Sequence, residues 1–158
     1  MRKTLIALML AMTAGVAGCG SSDGGGARLS QEEFVQQADA ICSDAEKKQD
    51  AIDVPSISAS PSDEELDKFA DALDQGVALT RDQIDKLRAL NPPENADAAW
   101  GKTVDQLDAS MDEVDKASAA ARDGDAPGLA KSLNDASAKA ETATQSAEAL
   151  GLKVCSNS

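Results

Sequence analysis

Apolar residues recur at intervals of three and four positions through most of the chain after residue 30, which is typical of amphipathic helices. Four such stripes follow one another, and no period-two run of β-branched residues interrupts them. They predict helices over Gln31–Ile52, Ser62–Leu90, Pro93–Arg122 and Asp125–Leu150.

The predicted helices begin and end at recognisable signals. Ser30 with Glu33, and Ser62 with Glu65, have the spacing of capping boxes. Turn residues at 91–93 and 123–125 separate the later helices, and a glycine at 151 fits a left-handed helix end. Because the connections are short, neighbouring helices should be antiparallel. We therefore expect an all-α, up-down-up-down four-helix bundle.

Many positions on the inward faces are alanine, especially in the last predicted helix. Alanine lets helices approach closely but buries little apolar area. A codon bias of the host is the alternative explanation for these alanines. Trp100 lies on the apolar row of the third helix, where it is either a core anchor or the wall of a pocket between helices.

The first nineteen residues read as an export signal. Arg2 and Lys3 precede an apolar run at 5–12, which is too short to span a membrane, and small residues then lead to Cys19. This segment resembles the lipobox of bacterial lipoproteins, and the resemblance implies that Cys19 is lipidated and becomes the first mature residue. We assign 1–18 to a signal peptide, 19–29 to a lipidated cysteine with a flexible Gly/Ser tether, and 30–158 to the bundle. An ordinary signal peptide or an uncleaved anchor is the alternative.

The chain is strongly acidic, with a formal net charge of −13. Cleavage before Cys19 would remove Arg2 and Lys3 from the 15 basic residues and none of the 28 acidic ones, giving −15. We expect such a domain to be repelled by anionic lipid headgroups and to stand off the membrane on its tether. Without a basic cluster, nucleic acid is not an expected partner.

Two further cysteines, Cys42 and Cys155, form an even pair in a chain predicted to be exported. A structural disulfide between them is the leading interpretation. Two unpaired thiols or a redox pair remain as alternatives.

The 158-residue chain contains no histidine, which excludes Ser-His-Asp and Cys-His catalysis and histidine-ligated haem. Asp123-Gly124-Asp125 is too short for a calcium loop and fits a turn with a helix cap. A pair of glycosidase carboxylates is a remote alternative, since aromatic residues are scarce. We expect no enzymatic activity, no metal and no cofactor.

One predicted loop carries apolar side chains, Val54 and Ile57. In the expected topology this loop lies at the end away from the tether, whereas the Asn91–Pro93 turn and the C-terminus lie at the tether end. We expect an envelope protein partner to dock at this loop.

Three segments together carry a wider resemblance: Phe34–Cys42, Leu87–Pro93 with the later Trp100, and Ala147–Cys155. They resemble small exported helical proteins and lipoproteins of high-GC Gram-positive bacteria. This resemblance implies a location and an architecture but no reaction. Gly20, rather than Asp, follows the cysteine, so an outer-membrane location stays open if the host has one.

These observations favour a non-enzymatic binding or accessory domain, anchored by lipid to the outer face of the cell membrane. The alternative is a carrier or sensor that holds a small apolar ligand or lipid beside Trp100. A cavity at Trp100 would favour the carrier, and a solid core would favour the accessory domain.

Overall fold

The computed structural model describes residues 27–58 and 60–157, and the predicted signal peptide, Cys19 and the first part of the predicted tether lie outside them. The helices of this part are α1 (Gln31–Gln49), α2 (Asp63–Arg88), α3 (Glu94–Arg122) and α4 (Ala126–Ala149), and no strand occurs there. The predicted all-α fold is confirmed. Helix α1 stops short of Ile52 because Ala51 and Ile52 donate to carbonyls three residues back, which tightens the chain into a turn.

The predicted caps form. The Ser30 hydroxyl accepts from the Glu33 backbone N–H at 3.3 Å, and the Glu33 carboxylate accepts from the Ser30 N–H at 3.0 Å. Ser62 and Glu65 repeat this arrangement at the start of α2. Each capping box satisfies backbone donors that a helix start leaves without intrahelical partners.

The helices pack in chain order as an antiparallel bundle: α1 on α2, α2 on α3, and α3 on α4. The backbones of α1 and α4 stay more than 8 Å apart. The bundle is therefore packed most closely between α3 and α4 and between α2 and α3, and its first and last helices are not in close backbone contact.

Both ends of the described chain are bonded to the bundle. The Leu29 N–H donates to the Asn91 carbonyl at 2.8 Å, and the Arg28 guanidinium bonds the Pro92 carbonyl and the Asp97 carboxylate. Arg28 and Leu29, which we placed in the tether, are thus attached to the α2–α3 turn. The start of α1 lies at the same end of the bundle as that turn, as the topology predicts.

The C-terminal tail turns back along α1. Gly151 adopts a φ of +87°, the left-handed conformation predicted for it, and Leu152 is then buried. The Asp39 carboxylate accepts from three successive backbone N–H groups, those of Lys153, Val154 and Cys155, at 2.9–3.3 Å.

The predicted disulfide is confirmed, and it joins Cys42 of α1 to Cys155 of this tail with a Cα–Cα distance of 5.2 Å. Cys42 is buried against the core that contains Phe34 and Trp100. The tail and its disulfide thus tie the inward-facing side of α1 to the end of α4.

Three arginines bridge α2 and α3, each between two aspartates, and we call this set the arginine ladder. Its rungs are Arg88 with Asp105 and Asp108, Arg81 with Asp112 and Asp115, and Arg122 with Asp71 and Asp74. Successive rungs lie seven residues apart on each helix. In the first two rungs the arginine is on α2 and the aspartates are on α3, and in the third rung the arginine is on α3 and the aspartates are on α2. Such exposed pairs contribute little stability, but a register slip of one heptad would set like charges against each other.

Replacing both bridging cysteines, as Cys42→Ala with Cys155→Ala, should reduce the free energy of unfolding by about 4–5 kcal/mol. The physical reason is the loop entropy that the bridge removes from the unfolded chain, since it spans a sequence separation of 113. Urea unfolding followed by circular dichroism measures the loss. Reduction of the unmodified protein should reproduce it, whereas a loss below about 1 kcal/mol would show that the bridge constrains little.

Glu113 joins α3 to α4. Its carboxylate accepts from Lys139 of α4 at 2.6 Å and from Lys116 at 2.9 Å, and its side chain is only 11% exposed. The bond from Lys139, followed by that from Lys116, lowers the pKa of Glu113 from 4.5 to about 2.

A carboxyl group whose pKa is lower in the folded state stabilises the fold above its unfolded pKa and loses that contribution as the pH falls. Glu113→Gln should therefore unfold at a lower temperature than the unmodified protein at pH 7. The difference should shrink between pH 4.5 and about 2, the range set by the two pKa values. Thermal melts across this range measure it, with the exposed Glu148→Gln as control. A difference that stays constant with pH would contradict this assignment.

Candidate functional site

The main cavity of the described part lies inside the bundle and has a volume of about 260 Å³. All four helices and Cys155 contribute to its wall. It lies where the backbones of α1 and α4 are separated, and it extends to Gln49, which is exposed at the end of α1. At the packing density of protein interiors, this volume holds on the order of ten nonhydrogen atoms.

The cavity exists because the residues that face it from α1 and α4 are small. Ala45 of α1 and Ala140, Ala143 and Ala147 of α4 stand where larger side chains would fill the space. The alanine-rich stripe of the last helix, apparent in the sequence, therefore leaves a void rather than drawing α4 onto α1.

Trp100 forms part of the wall and is itself buried, with 4% of its surface exposed. Its indole N–H donates to the Leu87 carbonyl at 3.2 Å, and its ring meets Phe34 edge-to-face with centroids 5.0 Å apart. The indole is therefore fixed from two sides while another part of it faces the cavity. The two roles left open for Trp100, core anchor and pocket wall, occur together.

The wall is mainly apolar, and neutral polar side chains lie among the apolar ones. Leu87, Val104, Leu107 and Met111 add to the apolar part. The buried polar side chains in the wall are Thr80, Gln83 and Thr103, each at most 7% exposed. All three are neutral, so the buried polarity of the cavity consists of hydroxyl and amide groups.

The hydroxyls are already bonded to the protein. Thr80 donates to the Gly76 carbonyl at 2.9 Å and accepts from the Gln49 side chain at 3.1 Å, and Thr103 donates to the Ala99 carbonyl. The Gln83 amide nitrogen donates to the Cys42 sulfur at 3.3 Å, and sulfur is a weak acceptor.

Glu46 is the one charged residue in the cavity wall, and it is partly exposed. No lysine or arginine contributes to this wall. Lys139, next to Ala140 on α4, is held by the Glu113 carboxylate and the Ala109 carbonyl. The arrangement can hold an uncharged molecule without leaving a buried charge unpaired.

The other residues selected from the sequence lie elsewhere. Val54 and Ile57 are 60% and 37% exposed, on the loop between α1 and α2. They are the exposed large hydrophobic residues of the described part; docking of a partner there stays a prediction. Asp125 caps α4 by accepting from the Gly128 N–H, and Gly124 has a φ of +68°. Cys19 lies outside the described residues.

Three residues of the cavity wall and the tail attachment were not predicted from the sequence: Asp39, Gln83 and Thr103. Thr103 and Gln83 each lie one residue before a core position, Val104 and Ile84, so they read as flanking polar residues. Asp39 reads as a surface acid of α1. Its bonds to residues more than a hundred positions away depend on the path of the tail, which no local pattern shows.

The fold and the cavity define the class: a disulfide-linked four-helix bundle with an internal, mainly apolar cavity. No protein-family model matches the chain, and no curated protein or solved structure matches it either. Within residues 27–58 and 60–157, no helix is long and apolar enough to cross a membrane. The same residues contain no cluster of three side chains suited to holding a metal ion.

Proposed function

We propose that this chain is an envelope lipoprotein whose helical domain binds a small, mainly apolar molecule between α1 and α4, without catalysing a reaction. The observation that carries the proposal is the cavity beside Trp100. Its volume of about 260 Å³ exceeds the roughly 150 Å³ of an engineered apolar cavity that binds benzene.

The wall supports binding rather than chemistry. Glu46 is its only carboxylate, the two cysteines that reach it are joined to each other, and the chain has no histidine. Thr80 and Thr103 donate their hydroxyl protons to backbone carbonyls rather than to a side-chain base that would activate them as nucleophiles.

Lipid anchoring at Cys19 would hold this domain at the membrane surface. The proposal rests on the order of the basic residues, apolar run and small residues that precede the cysteine. The Gly/Ser-rich segment after Cys19 would then separate the bundle from the lipid by roughly 15 Å. Two or more acyl chains anchor a protein stably, whereas one chain holds it only marginally.

Cys19→Ser should release the protein from membranes. Expressed in a bacterium that processes lipoproteins, the unmodified chain should sediment with membranes and incorporate labelled fatty acid, because the acyl chains form on the Cys19 sulfur and amine. The variant should incorporate no label. Cys155→Ser, which leaves the lipobox intact, is the control. Equal labelling of Cys19→Ser and the unmodified chain would contradict the proposal.

The soluble domain, residues 20–158, should bind n-butylbenzene. This probe has about ten nonhydrogen atoms, and we expect a Kd of about 10–100 μM, or roughly 0.6 kcal/mol per nonhydrogen atom. The melting temperature should rise with probe concentration, and Trp100 fluorescence should change and saturate. Trp100 reports cleanly because the chain has one tryptophan and no tyrosine.

Ala143→Leu tests whether the probe occupies this cavity, since Ala143 is buried and faces it. The added side chain should fill the space, keep or raise the melting temperature, and abolish the response to n-butylbenzene. Ala138→Leu, on the exposed face of α4, should bind as the unmodified domain does. The proposal would be overturned if the probe changed neither the melting temperature nor the Trp100 fluorescence of the domain, or if Ala143→Leu responded equally.

A further inference from the structure

We infer that the cavity selects an uncharged molecule with one hydrogen-bonding group, which bonds the Gln83 amide while its apolar part lies against Trp100. The inference rests on the proposed function and specifies the class of ligand. Two observations carry it: the incomplete bonding of Gln83 and the charge of the cavity wall.

Gln83 is 93% buried, since only 7% of its surface is exposed, and it lines the cavity. Its amide group offers two N–H donors and a carbonyl acceptor. Within the described residues, the structure records one hydrogen bond for this amide, from its nitrogen to the Cys42 sulfur at 3.3 Å.

Every side-chain nitrogen or oxygen in the described part that is fully shielded has a partner. The Gln83 carbonyl oxygen therefore keeps accessible surface. Gln83 lines the main cavity and also a pocket of about 10 Å³ beside Lys48 and Lys86, and only the main cavity has room for more than one water molecule. A buried amide left partly unbonded costs free energy, so a ligand that supplies both a donor and an acceptor gains affinity from this site.

The charge of the wall excludes an anionic head group. A carboxylate placed at Gln83 would find one N–H donor and no cation, with Glu46 as the only charge in the wall. Burying an unpaired anion is far more costly than burying an amide or an alcohol. Fatty-acid anions are thus poor occupants, although their tails would suit the apolar side chains of the wall.

The order of residues along α2 places Gln83 between Thr80 and the part of the cavity at Trp100. Leu87 lies one turn after Gln83, and its carbonyl accepts from the Trp100 indole. Thr80 lies about one turn before Gln83, on the side toward Gln49. With the head group at Gln83, an apolar tail can reach the apolar side chains of the wall, which include Trp100, Val104 and Ala147.

Octanamide and octanoate test this inference, because they share one chain and differ in the charge of the head group. Each has about ten nonhydrogen atoms, the size that the cavity holds. Each compound is titrated at pH 8 against residues 20–158, and binding is followed by Trp100 fluorescence and by the shift in melting temperature. The Kd of octanamide should be lower than that of octanoate by about tenfold or more. Equal or tighter binding of octanoate would overturn the inference.

Gln83→Met tests the partner, because methionine keeps the length of the side chain and removes its hydrogen-bonding groups. It should weaken octanamide binding about tenfold relative to the binding of n-butylbenzene, which has no hydrogen-bonding group to lose. Gln36→Met, on the exposed face of α1, is the matched control and should change neither affinity. An octanamide affinity that is unchanged, or that falls together with that of n-butylbenzene, would rule out a hydrogen-bonding role for Gln83.

The experiment separates this inference from the proposed function. If n-butylbenzene binds but octanamide has no advantage over octanoate, the cavity still holds apolar molecules and only the inference is wrong. If none of the three probes binds, the proposed function fails as well. If Gln83→Met does not fold, the comparison of octanamide with octanoate on the unmodified domain still decides.

Discussion

The attachment of the C-terminal tail to α1 is the constraint on which the cavity depends. The backbone of helix α1 packs on α2 but not on α4, so the side of α1 that faces α4 is joined to it by other contacts. The tail provides them through the Cys42–Cys155 bridge and through the Asp39 carboxylate, which accepts from three consecutive backbone N–H groups. The tail thus holds α1 in place while the space between α1 and α4 stays open.

The same arrangement explains how a bundle with many alanines in its interior keeps its fold. The end of the bundle beyond α1 is a three-helix core with Leu66, Ala70, Ala117, Ala121 and Leu129, and it is closed without α1. Phe34, Ile84 and Trp100 supply the bulk of the other core, at the tether end. Between them, alanines leave the cavity. The arginine ladder fixes the register of α2 on α3, which forms the wall opposite the opening.

Most of the fold follows from local sequence patterns. Both capping boxes, the left-handed Gly151 and the four apolar stripes are properties of short segments, and the structure contains each of them. The pairing of Cys42 with Cys155 was predictable because, in a chain predicted to be exported, assigning Cys19 to lipid leaves two cysteines and a single pairing.

The cavity was predictable only in part. Trp100 and the alanine stripe indicated where packing was thin, but whether thin packing closes or leaves a void depends on the distance between α1 and α4. That distance follows from the path of the tail and from Asp39, which joins residues more than a hundred positions apart. Gln83 is detectable only once burial is known, because a glutamine beside a core position is ordinary on a helix surface.

Charge acts in the same direction on the surface and in the interior. The chain carries a net charge of −13, and the cavity wall carries one acid and no base. No lysine or arginine is among the wall residues, and Lys139 and Lys48, each next to a wall residue, are paired with Glu113 and Asp44. If the cavity binds a ligand as proposed, an approaching anion would be repelled by the surface and would find no cation in the wall, whereas an uncharged molecule would meet neither obstacle. Selection between the two would need no specific recognition of the anion: it would result from an acidic surface and a neutral amide in a described wall without a cation.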